Sequence, residues 1–231
     1  MIRSEQIPLN FEFQGDKTFN NFFSGCHQEI LFHLKDSITG KGEQQIFLWG
    51  EHRLGKSHLL QACCQQAHQQ NKTSFYLPLQ ALPDLSILEN LEEIEVVCVD
   101  DIDKIAQNSD WELAFFDFFN RLRDKNHQLI VSSNTAATEL NLNLADLKTR
   151  LSWGLNLQLH TLTDEQMIAA LSHKARYMGF EINDNVGQFL LSYSSCNISK
   201  LWDLLDTIDH ESLAAKRKLT IPFLRKVLAQ S

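Results

Sequence analysis

The feature that most constrains this chain is a short glycine-containing loop with the pattern G-x-x-x-x-G-K-S. Glycine lets the backbone curl around an anion with its N–H groups pointing inward, where a larger side chain would obstruct the path. An apolar run, 45–49, precedes the loop, and apolar residues recur at helical spacing after it, from 57 to 70. Strand, loop and helix in this order predict a phosphate-binding loop, made of Gly50, Glu51, His52, Arg53, Leu54, Gly55, Lys56 and Ser57.

The last residues of this loop have distinct predicted roles. Lys56 can reach the β and γ phosphates of a nucleotide, and the Ser57 hydroxyl is placed to ligate Mg²⁺. The helix that begins here adds the positive end of its dipole to the site. We therefore expect nucleotide phosphates and Mg²⁺ at this loop, with His58 completing the predicted nucleotide contacts.

Two further apolar runs end in polar side chains that suit the same site. The first, 94–99, stops at Asp100 and Asp101, and the second stops at Asn134. A buried strand of this kind delivers Asp100 beside the Mg²⁺ and leaves Asp101 to orient or deprotonate a water. Two aspartates can also begin a solvated turn, and Asn134 fits either a turn or a contact with the γ-phosphate or attacking water. We predict Ser57 and Asp100 as metal ligands, with Asp101 and Asn134 catalytic.

Hydrophobic periodicity predicts an α/β fold. Strand patterns at 73–77 and 155–159 join the three runs above. After residue 160 the strand patterns stop, and a capping box at Thr163 and Gln166 opens the first of four helical segments, which continue at 183–194, 198–214 and 220–229. We predict a five-stranded parallel sheet flanked by helices, followed by a small all-α domain, with divisions at 1–15, 16–161 and 162–231.

Two connecting segments carry specific helix predictions. Residues 84–91 fit a short helix. Ser109 and Glu112 form a capping-box pattern that opens a helix to about residue 123. Its core-facing side is predicted to carry Leu113, Phe116, Phe119 and Leu122.

Composition and charge exclude several classes of function. The formal net charge is −8, whereas a large nucleic-acid footprint needs clustered Lys and Arg, so contact with DNA is expected to be local or indirect. Five cysteines without a C-x-x-C pair indicate buried free thiols, with Cys63 and Cys98 on predicted core faces. The chain contains no run near the roughly 18 apolar residues of a membrane span, and its start lacks the apolar core of a signal peptide. We expect a folded cytoplasmic protein.

The first residues of the chain leave two interpretations open. Segment 1–15 contains Pro8 and fits either a peptide that docks on a partner or a structural arm packed on the domain. The aromatic stretch 18–23 precedes a helix near 27–38, and its phenylalanines either wall an adenine or fill the core.

With these motifs in place, the chain resembles the AAA+ family, and within it the DnaA-like replication proteins. The generic features are the phosphate loop, the pair of aspartates, Asn134 and a helical lid. More specific is Leu147-Lys-Thr-Arg-Leu-Ser-Trp-Gly154, which looks like the DnaA segment that contains an arginine finger. Segments 6–11 and 215–223 resemble short regulatory members of this group, which lack the DNA-binding domain of DnaA.

The resemblance implies an adenine-nucleotide-binding regulator with ADP or ATP and Mg²⁺ as ligands and with Phe22 at the base. Arg150 would be a finger given in trans to a DnaA-type initiator, whose ATP hydrolysis it would stimulate. From the residues alone, Arg150 fits an intramolecular salt bridge equally well.

The same resemblance implies an assembly on DNA. A β sliding clamp loaded on DNA would hold the regulator, so that DNA is contacted indirectly through the clamp. The residues predicted to dock on the clamp are Gln6, Ile7, Leu9 and Phe11. Because AAA+ sites usually lie between subunits, we also expect self-association or mixed assembly, and association with the nucleoid through the replication machinery.

Two positions depart from the family pattern. The lid of this family usually carries an arginine facing the phosphates, where this chain has Ser199 followed by Lys200. A one-residue offset rotates a helical side chain by about 100°, so Lys200 is not expected to replace that arginine at the phosphates. Asp101 is one methylene shorter than the glutamate of many AAA+ ATPases, which suits a slow or inert ATPase.

The leading alternative function is that of a helicase-loader-type ATPase, which uses Asp101 as its own base. A third is that of a small-molecule phosphotransferase, for which the chain offers no acceptor-site pattern.

Overall fold

A five-stranded parallel sheet forms the centre of the computed structural model, which describes residues 17–80, 82, 84–193, 201, 202, 204, 205, 221, 222 and 224. Its strands are β1 (Gln45–Trp49), β2 (Ser74–Pro78), β3 (Val96–Asp100), β4 (Gln128–Ser133) and β5 (Leu155–Gln158). They lie in the order β2-β3-β4-β1-β5, and every neighbouring pair is parallel. The predicted fold class is confirmed.

Four of the described helices cover both faces of this sheet, and two follow it along the chain. The first four are α1 (Gln28–Thr39), α2 (Lys56–Gln69), α3 (Ser109–Asp124) and α4 (Ala145–Leu151), and the other two are α5 (Asp164–Tyr177) and α6 (Asp184–Tyr193). One core contains α3 and α4, and the other contains α1 and α2. Successive residues of a strand enter opposite cores, as Phe47 and Leu48 do in β1, so the inner strands are largely apolar on both sides, whereas β5 alternates. Cys63, Cys64 and Cys98 are buried free thiols in the second core, as predicted for Cys63 and Cys98, but Cys26 is exposed, so the prediction of a buried thiol is wrong there.

The predicted helix at 84–91 is wrong. Two 3₁₀ turns, Leu85–Leu88 and Leu91–Glu93, occupy this segment. Asn90 separates them with a left-handed backbone, φ +63°, which an α-helix does not accommodate. The segment therefore crosses to β3 without a full helix.

Helix α3 begins where it was predicted to begin, but its N-cap residue and its buried face differ from the predicted ones. The N-cap is Asn108, whose side chain accepts the Trp111 N–H, and Glu112 accepts the N–H of Gln107 and not that of Ser109. Leu113 is 57 % exposed, so its assignment to the core face is wrong. The buried stripe has helical spacing from a different starting residue and consists of Trp111, Phe115, Phe118, Phe119 and Leu122.

A third core lies beyond the sheet, in helices α5 and α6. The predicted capping box is present, because Thr163 and Gln166 each accept the other's backbone N–H. Met167, Leu171 and Val186 pack in this core with Leu201, Leu205 and Leu224. The boundary near residue 161 and the arm at 1–15 stay predictions. In the part of the chain that the structure describes, we find no helix long and apolar enough to cross a membrane.

Candidate functional site

The strand order brings three of the predicted segments to one edge of the sheet. Because β3, β4 and β1 are neighbours and parallel, their carboxyl ends meet there. The phosphate-binding loop follows β1, the two aspartates end β3, and Asn134 follows β4. The Gly50 N–H donates to the Ser133 carbonyl oxygen over 3.2 Å, which joins the start of the loop to the end of β4.

The loop has the form that its glycines predicted. A Cβ atom at Gly50 would lie 2.6 Å from the Leu159 carbonyl oxygen. Gly55 has φ +96°, in the left-handed region, and a Cβ there would lie 2.6 Å from the Phe22 ring. Between them, Leu54 is buried, and the exposed residues are Glu51, His52 and Arg53. The path therefore leaves no room for larger side chains at either glycine.

Lys56 is 5 % exposed and lies inside this loop. Its Nζ donates to the carbonyl oxygens of Gly50 (2.7 Å) and Glu51 (2.8 Å) and to Asn134 Oδ1 (3.0 Å). Burial lowers the pKa of Lys56, and the carboxylates of Asp101, Asp100 and Asp103 oppose that change.

Asp100 is almost fully buried at the end of β3, and both of its carboxylate oxygens accept hydrogen bonds. The Tyr76 hydroxyl donates to Oδ2 over 2.6 Å, and the Ser132 hydroxyl donates to Oδ1. The sequence analysis did not identify Tyr76 and Ser132. Each is a hydroxyl side chain near the carboxyl end of its strand, which is the signal that marks them.

The next two predicted residues lie beside Asp100. Asp101 has φ +60°, and its N–H donates to the Ser132 hydroxyl over 2.9 Å. Burial and the neighbouring charges of Asp100 and Asp103 raise the pKa of the Asp101 carboxyl. Asn134 bridges two charges, because its amide oxygen accepts from Lys56 and its amide nitrogen donates to Asp103 Oδ2 over 3.0 Å.

Asp103 is a further member of the cluster that the sequence analysis missed. It also accepts the Asn134 backbone N–H (3.2 Å) and the Ser133 hydroxyl (3.3 Å). The 3₁₀ turn Ile102–Ile105 places it there, directly after β3. Sequence patterns do not show how such a turn directs a side chain.

The phenylalanines of the aromatic segment before α1 were predicted either to fill the core or to wall an adenine, and they differ in position. Phe19 is buried in the core, whereas Phe22 packs beside Gly55 and meets the His58 ring edge-on at 5.5 Å. His58 Nε2 lies 2.8 Å from the Thr18 carbonyl oxygen. Phe22 and His58 therefore form one wall next to the phosphate-binding loop.

Arg150 lies at the opposite end of the sheet from the other predicted catalytic residues. The Gln45 side-chain amide, at the start of β1, donates to the carbonyl oxygens of Arg150 (2.9 Å) and Leu151 (3.2 Å). Strand β1 then runs about 13 Å from Gln45 to the residue before the phosphate-binding loop.

The Arg150 guanidinium is held between two aromatic rings. Its Cζ is 4.8 Å from the Phe116 ring centroid and 5.2 Å from that of Trp153. Its Nη1 is buried without a hydrogen-bond partner among the described residues. The two rings therefore orient the guanidinium, and its role as a finger stays a prediction.

Six predicted site residues lie outside the described residues. They are the lid residues Ser199 and Lys200 and the segment residues Gln6, Ile7, Leu9 and Phe11. Their roles stay predictions.

Both parts of the chain match models of known protein families. Residues 13–158 match the family model of the bacterial DnaA ATPase domain, and residues 164–228 match that of the Hda lid domain. A Haemophilus influenzae protein described as uncharacterized is 36 % identical over 228 residues, which is 97 % of this chain and 99 % of that protein.

Two solved structures share the fold. Domain III of Thermotoga maritima DnaA superposes with a TM-score of 0.78 at 19 % identity, covering 93 % of this chain and 96 % of the other. A replication initiator DnaA bound to AMPPCP and single-stranded DNA superposes with a TM-score of 0.76 at 20 % identity, covering 89 % and 69 %. The chain therefore belongs to the family of the bacterial DnaA ATPase domain, as an Hda-like, DnaA-homologous replication regulator.

Proposed function

We propose that this protein binds an adenine nucleotide, docks on the DNA-loaded β sliding clamp and stimulates ATP hydrolysis by a DnaA-type initiator. The result is negative regulation of the initiation of chromosomal replication. The observation that supports the proposal is the placement of Arg150, whose guanidinium is stacked between two aromatic rings at the end of the sheet opposite the predicted phosphate-binding loop.

The residues at the carboxyl edge of the sheet fit an adenine nucleotide with Mg²⁺. The path of the loop requires glycine at 50 and 55, because a Cβ atom there would meet the Leu159 carbonyl oxygen or the Phe22 ring at 2.6 Å. A hydroxyl and a carboxylate, from Ser57 and Asp100, are the oxygen donors that Mg²⁺ prefers. A bound Mg²⁺ neutralises phosphate charge. The loop N–H groups and Lys56 would hold the phosphates, while Phe22 would cover the base. The AMPPCP of the DnaA neighbour supports this assignment.

Lys56 and Asn134 would act together in this site. Two acceptors of Lys56 are loop carbonyl oxygens, so a phosphate oxygen can take their place without leaving the ammonium unpaired. Asn134 keeps the lysine oriented through Oδ1 while Asp103 holds the other end of the same amide. Asp101, a short carboxylate in a crowded acidic cluster, suits weak or absent turnover by the chain itself.

Arg150 would act on the partner. Its guanidinium would approach the γ-phosphate bound by the initiator and stabilise the negative charge that develops there during hydrolysis. The Phe116 and Trp153 rings fix the side chain before contact, so little conformational entropy is lost on docking. Fingers of this kind contribute roughly 10³ to 10⁵ in rate.

The N-terminal residues Gln6, Ile7, Leu9 and Phe11 would supply the contact with the clamp. This docking places the regulator on DNA without a large basic surface, in keeping with the net charge of −8. Association through AAA+ interfaces, with the initiator or with a second copy of this chain, would bring Arg150 to a neighbouring nucleotide site. The working location is then the cytoplasm, at the nucleoid.

The test is ATP hydrolysis by a DnaA-type initiator with and without this protein, the clamp and DNA. Stimulation should require all three, and Arg150→Ala should reduce it by about 10³-fold or more while ADP affinity is retained. Arg123→Ala is the matched control, because Arg123 also stacks on Trp153, at 5.8 Å, but from helix α3. That variant should keep most of the stimulation.

Two outcomes would contradict the proposal. Stimulation that survives Arg150→Ala would remove the finger assignment. Strong turnover by the protein alone, without stimulation of the initiator, would favour the helicase-loader-type ATPase and make Asp101 the residue to test.

A further inference from the structure

Tyr76 lies at the centre of the polar cluster, although it belongs to a strand that carries none of the predicted site residues. Its hydroxyl donates to Asp100 Oδ2 over 2.6 Å. Ser57 and Gln61, both on helix α2, act on the same phenol and lower its pKa, against the larger effects of burial and Asp100. One phenol therefore lies between Asp100, at the end of β3, and the start of helix α2.

The contacts of Asp100 leave it one defined orientation. Tyr76 binds Oδ2 and Ser132 binds Oδ1, so the carboxylate cannot rotate without losing both hydrogen bonds. Each carboxylate oxygen can accept more than one hydrogen bond or ligand, and each therefore keeps capacity for a cation or a cation-bound water.

Tyr76 is suited to remain a neutral donor in this acidic environment. Burial and the charge of Asp100 raise the pKa of the Tyr76 phenol. The negative charges of Asp100 and Asp103 help to raise the pKa of the Asp101 carboxyl, and a donor on Asp100 offsets part of that repulsion. Removing the hydroxyl would leave Oδ2 with one partner fewer and the carboxylate less constrained.

We propose that Tyr76 is a positioning residue for the metal site: its hydroxyl holds the Asp100 carboxylate in one orientation and so determines how strongly Mg²⁺ enhances nucleotide binding. This inference rests on the proposed nucleotide-binding function. It assigns Tyr76 an effect through Asp100 and not a contact with the phosphates.

The test is the affinity of the full chain for ADP, measured by calorimetry with Mg²⁺ and with EDTA. Tyr76→Phe keeps the ring and removes the hydroxyl. We expect its affinity in EDTA to match that of the unsubstituted protein, and the enhancement by Mg²⁺ to fall about tenfold, the size expected for a hydrogen bond to a charged group. Ser74→Ala is the matched control, because it removes a hydroxyl of the same strand that donates to the Cys64 carbonyl oxygen over 3.0 Å.

A second pair of variants separates positioning from packing. If Tyr76 acts through Asp100, adding Tyr76→Phe to Asp100→Asn should cause little further loss of the Mg²⁺ enhancement, whereas independent effects would add. Thermal unfolding of each variant checks the fold. This comparison still tests the proposal if Tyr76→Phe lowers stability. The Asp100→Asn variant and the double variant are compared with each other, and both lack the native Asp100 carboxylate.

The outcomes distinguish the inference from the function on which it rests. An unchanged or larger Mg²⁺ enhancement in Tyr76→Phe, in a protein whose unsubstituted form binds ADP with Mg²⁺, would overturn the role of Tyr76 alone. Fully additive losses in the double variant would do the same. No ADP binding by the folded unsubstituted protein would overturn both.

Discussion

The two ends of the central sheet each hold a cation, and their surroundings differ. At the carboxyl end, Lys56 has three acceptors within 3.0 Å, and three carboxylates lie around it. At the amino end, Arg150 is stacked on Phe116 and Trp153, and its Nη1 has no acceptor among the described residues. Both side chains are fixed, one by hydrogen bonds and the other by aromatic rings.

This difference indicates what each end requires. At the lysine end, the ammonium has three hydrogen-bond acceptors and three neighbouring carboxylates, so the charge that remains there is negative. At the arginine end, Nη1 has no hydrogen-bond partner among the described residues, and a buried N–H without a partner is costly. A ligand at the first end would exchange existing contacts, whereas a partner at the second would supply a missing one. A substitution at one end should therefore leave the function of the other end unchanged.

The largest of the effects expected within this comparison is on nucleotide affinity at the lysine end. Lys56→Ala removes a charged donor to phosphate and should weaken ADP binding by roughly 10- to 100-fold, as for the loss of a hydrogen bond between charged groups. Calorimetry with Mg²⁺ measures it. Lys104→Ala is the control, because Lys104 lies 3.9 Å from Asp103 and outside the loop. Equal losses in the two variants would mean that overall positive charge, and not the loop lysine, matters.

The next effect concerns stability. Asp103→Ala leaves the backbone and side-chain N–H groups of Asn134 and the Ser133 hydroxyl without their acceptor, and it should lower the free energy of unfolding by about 1–3 kcal/mol. Urea denaturation measures the change. Asp117→Ala, an exposed position on α3, should stay within about 0.5 kcal/mol of the unsubstituted protein. A stable Asp103→Ala variant would show that the lysine end does not depend on its internal contacts.

The smallest effect is expected for Trp153, one of the two rings that contact Arg150. Trp153 is 46 % exposed, and Trp153→Ala removes one of the two rings that hold Arg150. A cation–π contact at an exposed site is worth about 0.5–1 kcal/mol, so stimulation of the initiator's ATP hydrolysis should fall roughly 2- to 5-fold. Trp153→Phe should restore most of it, and ADP affinity should not change. A parallel loss of ADP affinity would contradict the independence of the two ends.

Much of the fold was predictable because its signals are local. Strand β1 begins and ends at the predicted residues, and the capping box at Thr163 and Gln166 forms as its spacing requires. Each signal depends on residues within one turn or one strand, where periodicity and capping chemistry act. The same holds for Gly50 and Gly55, whose positions in the loop pattern predicted the close approaches that the structure contains.

The predictions that failed depended on contacts between distant segments. Leu113 was assigned to the core because several registers of α3 carry apolar residues, and packing on the sheet selected the stripe that excludes it. Tyr76, Ser132 and Asp103 were missed for a related reason. Their neighbours in the cluster lie on other strands, and no spacing along the chain records which strands are adjacent.

The sequence by itself determined the elements: a glycine-containing loop between a strand and a helix, Asp100 at the end of one strand, and Asn134 directly after another. Tertiary structure alone decided the partners of these residues. Strand order placed Lys56, Asn134 and Asp103 within hydrogen-bonding distance and left Arg150 at the far end of the same sheet. The physical reason is that helix and strand formation respond to neighbours along the chain, whereas hydrogen bonds and charge depend on distance in space.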